Sequence, residues 1–100
     1  MLKHIVMWKL KENAEDKSKI GNALLMKEML ETLKEVIPEI EDIEVGVNVN
    51  FSDESYDVVL YSKFRNEEAL RIYQDHPEHQ KVAEFVGKIK EERVVVDYLD

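Results

Sequence analysis

Three histidines are the side chains of this sequence whose type and spacing are best suited to acid–base chemistry. Two of them flank a proline in the tetrapeptide His76-Pro77-Glu78-His79, and the third, His4, opens the first apolar segment. Because the imidazole pKa lies near neutrality, histidine can gain or lose a proton at physiological pH. The pattern therefore indicates either proton-transfer chemistry or metal binding at a small local site.

A metal site is the weaker of these two possibilities. Two imidazoles at positions i and i+3 can share one helix face, and His4 could supply a third ligand from a strand. The segment lacks the more specific pattern His-Glu-x-x-His. We therefore expect no metal. A purely structural interpretation also stays open, in which His76 caps a helix, Pro77 begins it and His79 closes a local hydrogen bond.

Composition limits the possible partners. One hundred residues make a single domain, residues 1–100, with room for one modest core. A net charge of −8 repels nucleic-acid phosphates and anionic membrane surfaces, so neither is an expected partner. The sequence has no cysteine, no apolar run of about 20 residues and no signal-peptide pattern at its start. We expect a cytoplasmic protein.

Hydrophobic periodicity predicts four strands and two helices around the histidines. Pro38 stops the first helix, and Pro77 breaks the second near His76. The predicted elements are a strand at Lys3–Leu10, a helix at about Glu15–Val36, strands at Ile43–Phe51 and Asp57–Phe64, a helix capped by Asn66 and carrying the break, and a strand at Val94–Leu99.

The order β-α-β-β-α-β is that of the ferredoxin-like α+β fold, a four-stranded antiparallel sheet with helices on one face. Two helices cover only one side of such a sheet. The first and third strands are nevertheless apolar on both sides. We therefore expect a second copy of the chain to cover the open face, giving a homodimer through the sheet faces.

Several segments in this order resemble the stress-responsive dimeric A/B barrel family, with a match that runs nearly end to end. The segments that carry the resemblance are Lys3-His4-Ile5-Val6-Met7-Trp8-Lys9-Leu10-Lys11, Ile37-Pro38, Val45-Gly46, Tyr56-Asp57-Val58-Val59-Leu60, Phe64, Tyr73-x-x-His76-Pro77-x-His79 and Val95-Val96-Asp97-Tyr98. The resemblance implies a dimeric α/β barrel, which agrees with the dimer expected from the sheet.

The resemblance also implies site residues. In a plant branch that includes olivetolic acid cyclase, a tyrosine and a histidine of the Tyr-x-x-His-Pro-x-His segment carry the chemistry. These positions are Tyr73 and His79 here, and the accompanying family histidines fall on His4 and His76. The cyclase also uses a tyrosine in its first helix, where this chain has Leu30. The resemblance therefore supports a pocket at the same place as in the cyclase better than it supports the same substrate.

We accordingly expect a pocket near the His-Pro-x-His segment that binds or converts a small carbonyl or aromatic compound. His79 would act as general acid or base and Tyr73 would orient a carbonyl, with no cofactor required. His4, His76, Trp8 and Leu30 are the expected ligand-binding residues, although the spacing of Trp8, like that of Met26, Met29 and Phe85, is more typical of core.

Two other functions remain open, and enzymatic activity itself is undecided. The first is a stress-related structural protein whose oligomer is its function. The second is a cofactor-independent monooxygenase, which rests on analogy of fold alone.

Overall fold

The structure, a computed structural model, describes all 100 residues and contains six strands and three α-helices. The elements are β1 (Leu2–Leu10), β2 (Asn13–Ala14), β3 (Lys17–Ser18), α1 (Lys19–Thr32) followed by a 3₁₀ turn (Leu33–Glu35), β4 (Ile40–Val47), β5 (Val58–Phe64), α2 (Glu67–Asp75), α3 (Pro77–Ile89) and β6 (Lys90–Leu99). No helix is both long and apolar enough to span a bilayer.

The main sheet has the strand order β4-β5-β1-β6 with every neighbouring pair antiparallel, which confirms the predicted ferredoxin-like fold. Strand β1 lies between β5 and β6, and its side chains alternate between the two faces. Residues at even positions from Leu2 to Leu10 are buried toward the helices, among them His4 and Trp8. The central position of β1 thus fixes both side chains on the helix-covered side of the sheet.

The first helix begins four residues later than the sequence predicts, at Lys19 instead of about Glu15. Strands β2 and β3 form a short hairpin whose central residues, Glu15 and Asp16, have φ of 51° and 62°. Positive φ at both positions is the geometry of a type I′ turn. The hairpin occupies the residues that were predicted to form the first turn of the helix. The helix therefore begins later, and the Ser18 hydroxyl accepts the N–H of Gly21 to cap it.

Strand β4 ends at Val47, so the predicted extension to Phe51 is wrong. Val49 and Phe51 continue the alternating pattern but are 88% and 81% exposed. The ladder stops where the Asn48 side chain donates a hydrogen bond to the Asn50 carbonyl and accepts one from the Asn50 N–H. Such local bonds offer the backbone an alternative to strand pairing.

The predicted helix break at His76-Pro77 is confirmed. Helix α2 begins at the cap Asn66, whose side chain accepts the N–H of Ala69 at 2.9 Å, and it ends at Asp75. His76 has extended backbone angles, φ −65° and ψ 134°, and Pro77 begins α3. Because proline has no N–H and its φ is already helical, it suits the first position of a helix and interrupts a continuing one.

The face of the sheet away from the helices is largely apolar. Cross-strand rows place Met7 beside Val59 and Val94, and Ile5 beside Tyr61 and Val96. In the single chain Met7 is 40% and Val96 is 54% exposed. This open face, defined here by Ile5, Met7, Val59, Val94 and Val96, is the surface for which the sequence predicts a covering partner.

Candidate functional site

A cavity of about 270 Å³ lies between the helix-covered face of the sheet and helix α3. Most of its wall is apolar, and five of the six residues expected to bind ligand or perform chemistry line it, all except His76. The lining residues are His4, Val6, Trp8, Leu30, Leu60, Tyr73, His79, Val82, Ala83, Val86, Gly87, Lys90 and Arg93. The volume is close to the lower end of the usual range for small-molecule pockets.

Tyr73 forms the back of this cavity. It is fully buried in the last turn of α2, with its ring centroid 4.9 Å from that of Phe64 and 4.4 Å from that of His79. Its hydroxyl has no hydrogen-bond partner within the chain. Burial raises the pKa of the Tyr73 hydroxyl well above its usual value, and the positive charge of Arg93 opposes this only partly. The phenol therefore remains a hydrogen-bond donor across the physiological pH range.

His79 lies beside Tyr73 in the first turn of α3. Burial lowers the pKa of its imidazole, and the positive charge of Arg93 lowers it further. The hydrogen bond to the Gln74 carbonyl raises the pKa, but by less than burial lowers it. The ring is therefore neutral at pH 7. Since the partner of its Nδ1 at 3.2 Å is the Gln74 carbonyl oxygen, which can only accept, Nδ1 carries the proton. Nε2 is left with a free lone pair, as a general base requires.

His4 is held by a partner that the sequence did not reveal, Asp97 on β6. The two residues face each other in the β1–β6 register, and His4 Nδ1 donates a hydrogen bond to the Asp97 carboxylate. The ring centroid of His4 lies 6.5 Å from that of Tyr73. A carboxylate acceptor fixes the orientation of a histidine and favours a proton on the nitrogen that faces it, here Nδ1.

His76 does not line the cavity. Its Nδ1 accepts the N–H of Glu78 at 3.0 Å, so the side chain caps α3. This is the structural role considered for it from the sequence. No group of three or more His, Cys, Asp or Glu side chains is close enough together to hold a metal ion.

Trp8 and Leu30 line the cavity as expected, whereas Lys90 and Arg93 were missed. Trp8 is 5% exposed, and its indole Nε1 has no partner. Arg93 faces Trp8 in the β1–β6 register. From the sequence, the final strand begins only at Val94, so neither basic residue had an assigned face. Met26 lies in the core, and Met29 and Phe85 pack against it.

The sheet topology places this chain among the ferredoxin-like α+β proteins, and the half-buried His79 and the buried Tyr73 meet in a cavity on the helical side of the sheet. The sequence model of the Stress responsive A/B Barrel Domain family matches residues 2–100. The chain belongs to that family, as its sequence motifs indicated.

Individual relatives agree with this assignment. A stress-response A/B barrel domain-containing protein of Arabidopsis thaliana, DABB1, is 28% identical over 99% of this chain, which spans only 47% of that protein. A crystal structure from Bacteroides fragilis, described as a dimeric protein of unknown function with a ferredoxin-like fold, is 37% identical. It matches with a TM-score of 0.86 over 97% of this chain and 93% of the other.

Two enzymes of known type share the fold only. The hydroxynitrile lyase of Passiflora edulis has a TM-score of 0.77 at 19% identity, over 97% of this chain and 90% of that one. An antibiotic biosynthesis monooxygenase has a TM-score of 0.75 at 17% identity, over 100% of this chain and 98% of the other. At such identities the likeness concerns the backbone and assigns no reaction.

Proposed function

We propose that the chain binds a small carbonyl or aromatic compound in this cavity and moves a proton on it without a cofactor. The observation that carries the proposal is the pairing of a neutral His79, whose Nε2 lone pair is free, with the unpartnered hydroxyl of Tyr73. A base and a hydrogen-bond donor then border one apolar space.

The chemistry follows from these two groups. His79 Nε2 takes a proton from the carbon next to a carbonyl, and the electron pair of that C–H bond moves into the carbonyl to give an enolate. Tyr73 donates a hydrogen bond to the enolate oxygen, where negative charge develops. Return of the proton from His79 to carbon or oxygen completes the cycle, so the step needs no oxidant or reductant.

Deuterium exchange tests this step directly. In D₂O, the protein should accelerate loss of the methyl protons of acetophenone, an aromatic ketone, as followed by NMR. The variant His79→Ala should lose this acceleration while keeping the fold by circular dichroism. Glu84→Ala is the matched control, because Glu84 is exposed on the same helix and lies outside the cavity. Equal exchange rates for His79→Ala and the parent would remove His79 from the proposed role.

The alternative of a stress-related structural oligomer gives the opposite result. It requires no ligand, so it predicts neither exchange nor any response of the single tryptophan, Trp8, to small molecules. Because Trp8 lines the cavity, its fluorescence reports occupancy directly. The same preparation therefore decides between the two functions.

We also propose that the functional unit is a homodimer joined through the open face. Exposed Met7, Val94 and Val96 support it, and the Bacteroides fragilis relative is described as dimeric. A charge at Met7, in the central strand, would lie unpaired in the buried interface. Met7→Glu should therefore sediment as a monomer at concentrations where the parent is a dimer, and a parent that sediments as a monomer at micromolar concentration contradicts the proposal.

A further inference from the structure

The cavity differs in charge from the rest of the molecule. The chain as a whole has a net charge of −8, but the charged residues that line the cavity are the two cations Lys90 and Arg93, with no carboxylate among them. Neither cation takes part in a hydrogen bond or an ion pair within the chain, although many other lysines do. Asp97, on the same strand as both cations, is engaged by His4.

A second observation points to a ligand at the same place. Trp8 is buried, lines the cavity, and has an indole N–H without an acceptor. A buried donor with no partner costs free energy, and native structures usually satisfy it. Arg93 is the cross-strand neighbour of Trp8, and such neighbours have Cβ atoms roughly 5 Å apart. One small anion can therefore contact both side chains.

We propose that the natural ligand is a small aromatic carbonyl compound that also carries a carboxylate, and that this carboxylate lies between the Trp8 indole N–H and the Arg93 guanidinium. The apolar wall formed by Val6, Leu30, Val82 and Val86 accommodates the ring. Lys90, which pairs with Leu10 beyond a register shift in the same two strands, adds a second positive charge. The proposal deepens the proposed function, on which it rests, by naming the class of ligand.

Arginine is suited to this task because its planar donors match the geometry of a carboxylate. The charge of Arg93 acts on both neighbours in the cavity, since it adds to the lowering of the pKa of His79 and opposes the rise in the pKa of Tyr73 that burial causes. An anion beside Arg93 would offset that charge.

Benzoate and benzamide form a matched pair of probes, because they have nearly the same shape and differ in charge. We would titrate the full-length protein with each by calorimetry and by quenching of Trp8 fluorescence, at low and at high salt. Benzoate should bind at least roughly ten-fold more tightly than benzamide, as expected for one charge-assisted contact. High salt should weaken benzoate alone.

Two variants locate the contact. Arg93→Gln should remove the preference for benzoate and leave benzamide binding unchanged, whereas Arg65→Gln, at an exposed arginine outside the cavity, should change neither. Trp8→Phe keeps an aromatic ring but loses the donor, and should weaken both probes when measured by calorimetry. Unchanged binding in Trp8→Phe overturns the indole contact.

The results separate this inference from the function on which it rests. If benzoate and benzamide bind equally, the anion preference is wrong but the cavity remains a ligand site. If neither binds, both the inference and the ligand-binding function fail. If the preference persists in Arg93→Gln, the charge that selects the anion lies elsewhere, and the assignment to Arg93 is overturned.

Discussion

Removing the hydroxyl of Tyr73 should stabilise the protein while impairing its chemistry. Tyr73 is fully buried, and its hydroxyl has no partner within the chain. Burying a hydroxyl without a hydrogen bond costs about 1–3 kcal/mol in protein mutational data. Tyr73→Phe removes that cost and preserves the ring contacts with Phe64 and His79.

The lower end of that range is the appropriate expectation, because the cavity beside Tyr73 gives the hydroxyl some freedom to reorient. A gain of about 1 kcal/mol corresponds to a rise of roughly 4–8 °C in Tm for a domain of this size. The same variant should lose deuterium exchange on acetophenone, since no donor would remain for the enolate oxygen. Stability and activity would then move in opposite directions.

Scanning calorimetry and urea unfolding at one fixed protein concentration provide the assay, because an oligomer's stability depends on concentration. Tyr56→Phe is the control: its hydroxyl makes no hydrogen bond within the chain and is only half-buried, so we expect a change within about 0.5 kcal/mol. A Tyr73→Phe variant less stable than the parent would refute the reasoning, since it would mean that the hydroxyl is satisfied in the free protein.

Three further predictions concern residues around the site. Burial holds the pKa of His79 in the folded protein below its ordinary 6.5, so in acid the unfolded chain binds more protons than the folded one. The free energy of unfolding is therefore highest above about pH 6.5 and decreases as the pH falls through the folded pKa. Urea midpoints should therefore fall less steeply with acid in His79→Gln, and a slope equal to that of His76→Gln would contradict this. Asn66→Ala should cost about 1 kcal/mol through loss of the cap on α2, seen as a lower midpoint at constant m-value; an unchanged midpoint would exclude the cap. Asp97→Asn should allow the His4 ring to exchange between its two tautomers, which ¹⁵N NMR of the ring would detect. A single tautomer still protonated at Nδ1 would show that a group other than Asp97 orients the ring.

Local signals explain which parts of the structure were predictable. The alternation in β1 and the proline at position 77 act within a few residues, so the strand and the helix break followed from the sequence. For His76 the sequence left a capping role and a ligand-binding role open, and the structure shows the cap. The start of α1 did not, because Glu15 and Asp16 adopt positive φ without the Asn-Gly or Asp-Gly pair that usually signals such a turn.

The site was predictable only where family motifs covered it. Tyr73, His79 and His4 were named from the family resemblance, and the structure brings them to one cavity. The β1–β6 register brings Arg93 opposite Trp8 at the cavity and Asp97 opposite His4, and both pairs join residues far apart in the sequence. The alternation of residues within β6 does not show whether its charged side chains lie on the helical side of the sheet or in solvent.

The corner at His76-Pro77 determines whether the histidine and the tyrosine can meet at all. In an unbroken α-helix, residues six positions apart are rotated by about 240° around the axis and displaced by about 9 Å along it. Tyr73 and His79 would then point in different directions. Because the helix is broken at His76-Pro77, their ring centroids instead lie 4.4 Å apart. Inserting or deleting one residue between Gln74 and Pro77 would change the phase of one helix relative to the other and separate the rings, although every residue of the cavity wall would stay the same.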